Sequence, residues 1–227
     1  MAGLFIALEG PEGAGKSTQA LRLAARLRTL GRDVLVSREP GGTALGQELR
    51  RLVLDRESHA ILAETEALLY AADRAEHVGR VLRPARDCGA IVVCDRFVDS
   101  SLAYQGAGRG LDVIQLRALQ NFATGGMEPD LRLLLDLPVG VGLARRFGSG
   151  GEVNRLDAEG IAFHERVRAA YLAAAAASPI AWAVVDAAES VDEVARRVEE
   201  MVVERLGDRL GPATPSVAGS ATVDRAR

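Results

Sequence analysis

Gly10, Gly13, Gly15, Lys16 and Ser17 stand at the spacing G-x-x-x-x-G-K-S, and residues of these types at this spacing can hold a chain of phosphates. In Gly10-Pro11-Glu12-Gly13-Ala14-Gly15-Lys16-Ser17-Thr18 the glycines let successive backbone N–H groups face one anion. A helix following the loop adds its positive N-terminal end. Lys16 reaches the β- and γ-phosphates of a nucleoside triphosphate, and the Ser17 hydroxyl can bind Mg²⁺. The apolar run Phe5–Leu8 reads as a buried strand before the loop. From Thr18 the spacing turns helical, with Leu21, Leu23, Ala24 and Leu27 apolar and arginines between them. Strand, glycine loop and helix form the context a phosphate loop requires.

Four further stretches carry chemistry. Ile91-Val92-Val93-Cys94 reads as a buried strand ending in Asp95 and Arg96. An acid there suits a Mg²⁺-associated role, and Arg96 can grip a second phosphate. Arg38-Glu39-Pro40-Gly41-Gly42-Thr43 reads as a turn at the end of another strand, where such loops line the ligand crevice, with Thr43 capping a helix towards Leu54. Tyr70 and Arg74 share one face of a long helix over Ile61–Ala85, which Pro84 ends or kinks. That pair can hold a flat heterocycle; a packing tyrosine with a surface arginine is the plainer alternative. Ser100–Gly110 should begin as a helix and open into a glycine-rich loop. Gly148–Arg155, flanked by Arg145, Arg146 and Arg155, has the composition of a mobile lid that excludes water.

The elements that must position these groups alternate. Strands are expected at Leu4–Leu8, Val34–Ser37, Ala90–Cys94, Leu131–Leu135 and Trp182–Val185, with helical segments between them. Continuous apolar strands separated by helices imply an α/β fold with a mainly parallel sheet covered on both faces. Asp112 should cap a helix through about Ala123, Val139–Phe147 and Asp157–Ala177 read as helices, and a last helix spans Val191–Leu206. The chain of 227 residues is 48% apolar and 26% charged with net charge −3. That balance gives no support for nucleic-acid or membrane binding, and no segment reads as a membrane span or signal peptide. Cys88 and Cys94 are too few for a disulfide framework, and Cys94 reads as a buried thiol. His59, His77 and His164 lack metal-ligand spacing and read as surface or helix residues. A single domain over residues 1–210, with a lid at about 146–158 and a disordered tail over 211–227, is the expected organisation.

Taken together, EGPEGAGKST at Glu9–Thr18, REPGGT at Arg38–Thr43, YAADRAEHV at Tyr70–Val78, DRF at Asp95–Phe97 and SSLAYQGAGRG at Ser100–Gly110 resemble bacterial thymidylate kinase. The resemblance runs from about residue 3 to about residue 206. It implies a three-layer P-loop fold with a five-stranded parallel sheet, and transfer of the ATP γ-phosphate to dTMP with Mg²⁺. It also implies a cytoplasmic homodimer. On matching positions, Gly10 to Thr18 would hold ATP, Lys16, Asp95, Arg96 and a lid arginine would be catalytic, and Ser17 and Asp95 would hold the metal. Glu12, Arg38, Tyr70, Arg74, Arg96, Ser101, Tyr104 and Gln105 would bind dTMP. Tyr70 stands where many relatives carry Phe, and Ser101 where they often carry Thr or Asn. Ala14 leaves the phosphate loop without an arginine, so the lid should supply one; Arg155 aligns best, with Arg145 and Arg146 nearby. The rivals are a kinase for another nucleoside monophosphate and a P-loop ATPase switch. Against the switch, Asp95 is followed by Arg96 and no Asn-Lys-x-Asp occurs.

Overall fold

The computed structural model describes residues 3–54, 61–148 and 154–210. Its sheet has five parallel strands in the order β2-β3-β1-β4-β5: β1 (Phe5–Glu9), β2 (Val34–Arg38), β3 (Ile91–Asp95), β4 (Leu131–Asp136) and β5 (Trp182–Asp186). Each expected strand is present, and each ends on the charged residue that follows its apolar run. The register of β1 on β3 brings Leu8 opposite Asp95, so the Glu9–Gly10 turn and the Asp95–Arg96 turn leave the sheet side by side.

Residues alternate between the two faces of the sheet, and both faces are buried. Ile6, Leu8, Val93, Leu133, Leu135 and Val185 pack against α1 (Lys16–Thr29) and α9 (Val191–Leu210) through Leu23, Leu27, Val198 and Val202. On the other face Phe5, Ala7, Val92 and Cys94 meet Val78, Leu82 and Phe97. Leu134 and Trp182 meet Phe163, Val167 and Tyr171 of α8 (Ile161–Ala177). Two-sided burial is why the strand sequences run apolar without interruption.

The remaining helices hang on this frame. Thr43 accepts from the Gly46 N–H at 2.9 Å and starts α2 (Ala44–Leu54). Asp112 accepts from the Gln115 N–H at 2.8 Å and starts α6 (Val113–Thr124). α7 (Val139–Gly148) follows β4. α3 (Ala63–His77) runs without a break into a π turn over Val78–Leu82 and then α4 (Arg83–Asp87). Pro84 therefore does not end the helix. It has no N–H for the carbonyl four residues earlier, and the widened turn precedes it.

Two expectations differ in detail. Ser100–Gly110 begins as a helix but stays helical for most of its length: α5 (Val98–Ser101) continues as a π-helical turn over Leu102–Gly108, and the chain leaves the helix at Arg109–Gly110. The helix expected from Asp157 begins at Ile161. The residues before it form a turn, because Asn154 Oδ1 accepts from the Leu156 and Asp157 N–H groups and Asp157 accepts from Asn154 N–H. Such side-chain bonds to nearby backbone compete with helix. His59, residues 149–153 of the expected lid and the tail 211–227 lie outside the described residues.

Candidate active site

The phosphate loop is built by its backbone. Gly13 has φ 71°, and a Cβ there would lie 2.0 Å from the Gly142 carbonyl oxygen of α7. Only glycine tolerates both the left-handed conformation and that approach. Gly13, Gly15, Lys16, Ser17 and Thr18 line a cleft at the N-terminus of α1, while Ala14 turns into the core and Pro11 is buried. Lys16 Nζ donates to the Gly10 and Pro11 carbonyls at 3.0 and 2.7 Å. Burial and the neighbouring Arg96 hold its pKa down at about 8, against the pull of Glu12, Asp95 and Glu9. An incoming polyphosphate is the anion that would restore a full charge there.

Ser17 Oγ donates to Asp95 Oδ2, linking the first turn of α1 to the end of β3. Asp95 Oδ1 is buried and takes no hydrogen bond among the described residues. A hydroxyl and an orphaned carboxylate oxygen are a fitting donor set for Mg²⁺, which prefers oxygen and completes its shell with phosphates and water. Among the described residues no cluster of three His, Cys, Asp or Glu side chains could hold a metal by itself.

Arg96 is the hub between this cleft and a second cavity. It is a non-glycine residue at positive φ, 71°. The backbone is held there by Arg96 N–H on the Leu8 carbonyl at 2.9 Å and Phe97 N–H on Glu9 Oε1 at 2.8 Å. Backbone in this region is strained and persists where surrounding bonds over-determine it. The guanidinium donates to Glu12 Oε1 at 2.9 Å, Tyr104 Oη at 3.1 Å, the Gly10 carbonyl at 3.1 Å, Ser100 Oγ at 3.3 Å and Tyr171 Oη at 3.4 Å. Burial raises the Glu12 pKa, but Arg96 and Lys16 outweigh it and bring the carboxyl down to about 2.

Glu9 lies beneath this hub, fully buried, bonded to Phe97 N–H, Ser100 Oγ and Tyr171 Oη. Burial, with the charge of Asp99, raises its pKa from 4.5 to about 7. A carboxyl raised in the folded state binds protons that the unfolded chain has released. Stability is therefore lost as pH rises from about 4.5 towards 7, by an amount on the order of 3 kcal/mol. Glu9→Gln should gain on wild type as pH rises through this window. Melting temperatures of both proteins measured across it check this, and a constant difference would refute it.

The second cavity is lined by Tyr70, Arg74, Ser101, Tyr104 and Gln105, with Glu12 and Arg96 at its mouth. Arg74 is not a surface residue: it is 1% exposed. It donates to Glu39 Oε2 at 2.7 Å, Ser101 Oγ at 3.0 Å, the Phe97 carbonyl at 2.9 Å and Gln120 Oε1. Tyr70, also buried, lines the same cavity. The phosphate cleft and this cavity share Glu12, Glu39, Arg50, Arg96 and Asn154, so a donor and an acceptor would meet at two arginines.

The family model described as thymidylate kinase matches residues 8–198. The chain is 57% identical over 200 residues to the thymidylate kinase of Thermomicrobium roseum, covering 88% of this chain and 94% of that one. It is 50% identical over 208 residues to a thymidylate kinase of Pseudomonas putida, covering 90% and 99%. A thymidylate kinase of Pseudomonas fluorescens is 50% identical over 206 residues, covering 91% and 98%. The chain belongs to the thymidylate kinase family.

Within this thymidylate kinase framework, Arg38 lines the phosphate cleft rather than the nucleotide cavity. The three lid arginines separate. Arg145 donates to the Ala187 and Ala188 carbonyls at 2.6 and 2.8 Å. Arg155 donates to the Val53 carbonyl at 3.1 Å and to Glu66, and lines neither site. Arg146 lines the phosphate cleft and pairs with Asp157 at 2.9 Å.

Sequence reasoning missed four groups here. Arg50 lines both sites and donates to the Pro40 carbonyl at 3.0 Å; nothing in its own helix marks it. Glu9 and Glu66 are fully buried carboxylates whose partners come from distant segments. His77, a helix residue at the end of α3, is buried rather than on the surface, bonded to Glu39 Oε1 at 2.9 Å and Ser37 Oγ at 2.6 Å. A Cβ at Gly42 would lie 2.4 Å from its ring, which explains the second glycine of REPGGT. His164 is likewise buried. Cys94 is a buried free thiol, as expected, and Cys88 is exposed.

Proposed function

We propose that this chain phosphorylates dTMP to dTDP with ATP, a step in dTTP synthesis. The observation that carries the reading is the shared wall of the two sites. A phosphate loop opens into a cavity holding a buried tyrosine and arginine, and Arg96 and Arg50 lie on both sides of the junction. The phosphate loop at Gly10–Thr18 takes ATP, and the cavity takes dTMP through Glu12, Tyr70, Arg74, Ser101, Tyr104 and Gln105. Arg38 and Arg96 hold the acceptor phosphate. Mg²⁺, bound by Ser17 and Asp95, would neutralise charge on the transferring phosphate.

An acceptor phosphate is already anionic near neutral pH, so no strong general base is required. The barrier lies in bringing two polyanions together in line. Lys16, Arg38, Arg50 and Arg96 supply the opposing charge, and the Tyr70 ring with the buried Arg74 orients the base. Arg146 is the better candidate for the lid charge than Arg155, since Arg146 lines the phosphate cleft while Arg155 lines neither site. Arg146→Ala should lower kcat by roughly 10²–10³, as loss of a transition-state donor does, and Arg155→Ala by less. Single-turnover rates of the two variants decide; a larger loss in Arg155→Ala would return the role to Arg155.

The deciding experiment is ADP release from ATP-Mg²⁺ with dTMP, dUMP, AMP, GMP and CMP in turn. Strong preference for dTMP is expected. Release that ignores every acceptor would leave an ATPase switch as the better account. The chain works in the cytoplasm, and no helix among the described residues is long and apolar enough to cross a membrane. It forms a single catalytic domain over residues 1–210 and acts as a homodimer without nucleic-acid or membrane partners. Exposed Ile114 and Phe122 of α6, and Leu68 of the adjoining α3, supply apolar surface for a dimer. Sedimentation at twice the 24.0 kDa chain mass is the expected result, and a monomer at working concentrations would refute the dimer.

A further inference from the structure

Glu66 is fully buried on α3, one helical turn before Tyr70 and on the same face. Gln105 Nε2 donates to Glu66 Oε1 at 2.7 Å. Arg109 donates to both carboxylate oxygens at 3.3–3.4 Å, and Arg155 donates to Oε2. A carboxylate between two guanidinium groups can only accept. Gln105, itself 1% exposed, must therefore turn its NH₂ towards Glu66 and its carbonyl oxygen away from it. Among the described residues that oxygen takes no side-chain hydrogen bond, and Gln105 lines the nucleotide cavity. The reversed amide would set a carbonyl oxygen against a carboxylate oxygen and leave a buried charge under-bonded, which is costly.

We infer that Glu66 is a specificity-determining positioning residue: by locking the Gln105 amide it presents an acceptor, and not a donor, to the base. This rests on the dTMP reading of the cavity. Among the described residues Arg74 spends four of its five N–H groups on Glu39, Ser101, Gln120 and Phe97, and one remains. An acceptor at Gln105 beside a donor at Arg74 matches the imide edge of a 4-oxopyrimidine, whose N3–H donates and whose O4 accepts. Cytosine carries the reverse pattern, an N3 acceptor and an amino donor, and meets like with like at both positions. The lock therefore discriminates between pyrimidine monophosphates without Glu66 touching either.

The test is calorimetric binding of dTMP and dCMP to the full chain, wild type and Glu66→Gln. A glutamine at 66 can donate or accept, so the Gln105 amide is free to turn. The ratio of the dCMP Kd to the dTMP Kd should fall by roughly tenfold or more, since a buried group left mismatched in the wild type finds a partner in the variant. A purely structural role would weaken both ligands together; a ratio within about twofold of wild type overturns the proposal. The exchange variant Glu66→Gln with Gln105→Glu returns an acceptor to the cavity and should restore the dTMP preference. Independently of variant folding, wild type should bind 3-methyl-dTMP roughly tenfold or more weakly than dTMP, because the N3–H is gone; equal binding overturns the lock. If wild type binds no deoxypyrimidine monophosphate while ATP still binds, the dTMP reading itself fails, which is a different result from an unchanged ratio.

Discussion

Replacing Lys16 with methionine is expected to lower kcat by roughly 10²–10⁵-fold, the range for removing a charge clamp from phosphoryl transfer. Lys16 is 7% exposed and, among the described residues, bonded only to the Gly10 and Pro11 carbonyls, so its ammonium is held ready rather than spent on an ion pair. Methionine fills a similar volume without the charge. The fold should survive, because the same burial that depresses the lysine pKa to about 8 penalises its charged form in the folded state. Coupled-assay kcat with a melting curve separates the two effects. The wild type should also lose ATP affinity as pH rises through about 8, where the free enzyme's ammonium deprotonates. A variant retaining kcat within about tenfold would remove Lys16 from the reaction.

Arg96→Lys should be nearly as damaging, and for two reasons at once. Arg96 spans five acceptors that no single ammonium can reach together: Glu12, Tyr104, Gly10, Ser100 and Tyr171. It also lies over the Tyr104 ring at 4.9 Å. kcat/KM for dTMP should fall by roughly 10³-fold, since the same side chain faces both the phosphate cleft and the nucleotide cavity. Stability should fall by about 2–4 kcal/mol, because the half-buried Glu12 loses the guanidinium that pairs with it. Steady-state kinetics and urea titration measure the two losses separately. Unchanged KM for dTMP in a folded variant would place the acceptor phosphate elsewhere.

How much of this was legible in the chain differs by region, and the reason is distance along the sequence. The strands and the parallel sheet followed from apolar runs because a strand buried on both faces needs no partner identity, only continuous hydrophobicity. The phosphate loop was legible in full, since Gly10 to Ser17 are contiguous and their conformational demands are local. Tyr70 and Arg74 fell on one face by helical period alone, but whether Arg74 was surface or buried was not decidable there. Its burial depends on Glu39, Ser101, Phe97 and Gln120, separated from it by 23 to 46 residues.

By itself, then, the sequence determined the fold class, the phosphate loop and the family, because each rests on short-range spacing or on the run of quoted motifs. Only the tertiary structure decided which charges are buried and what they hold. Glu9 meets Tyr171 across 162 residues, and Glu66 meets Arg155 across 89. A buried carboxylate is tolerated only where such partners converge, and their convergence is a property of packing, not of spacing. The same holds for the lid: Arg145, Arg146 and Arg155 are equivalent as residue types, and they part only when Ala187, Asp157 and Glu66 claim them.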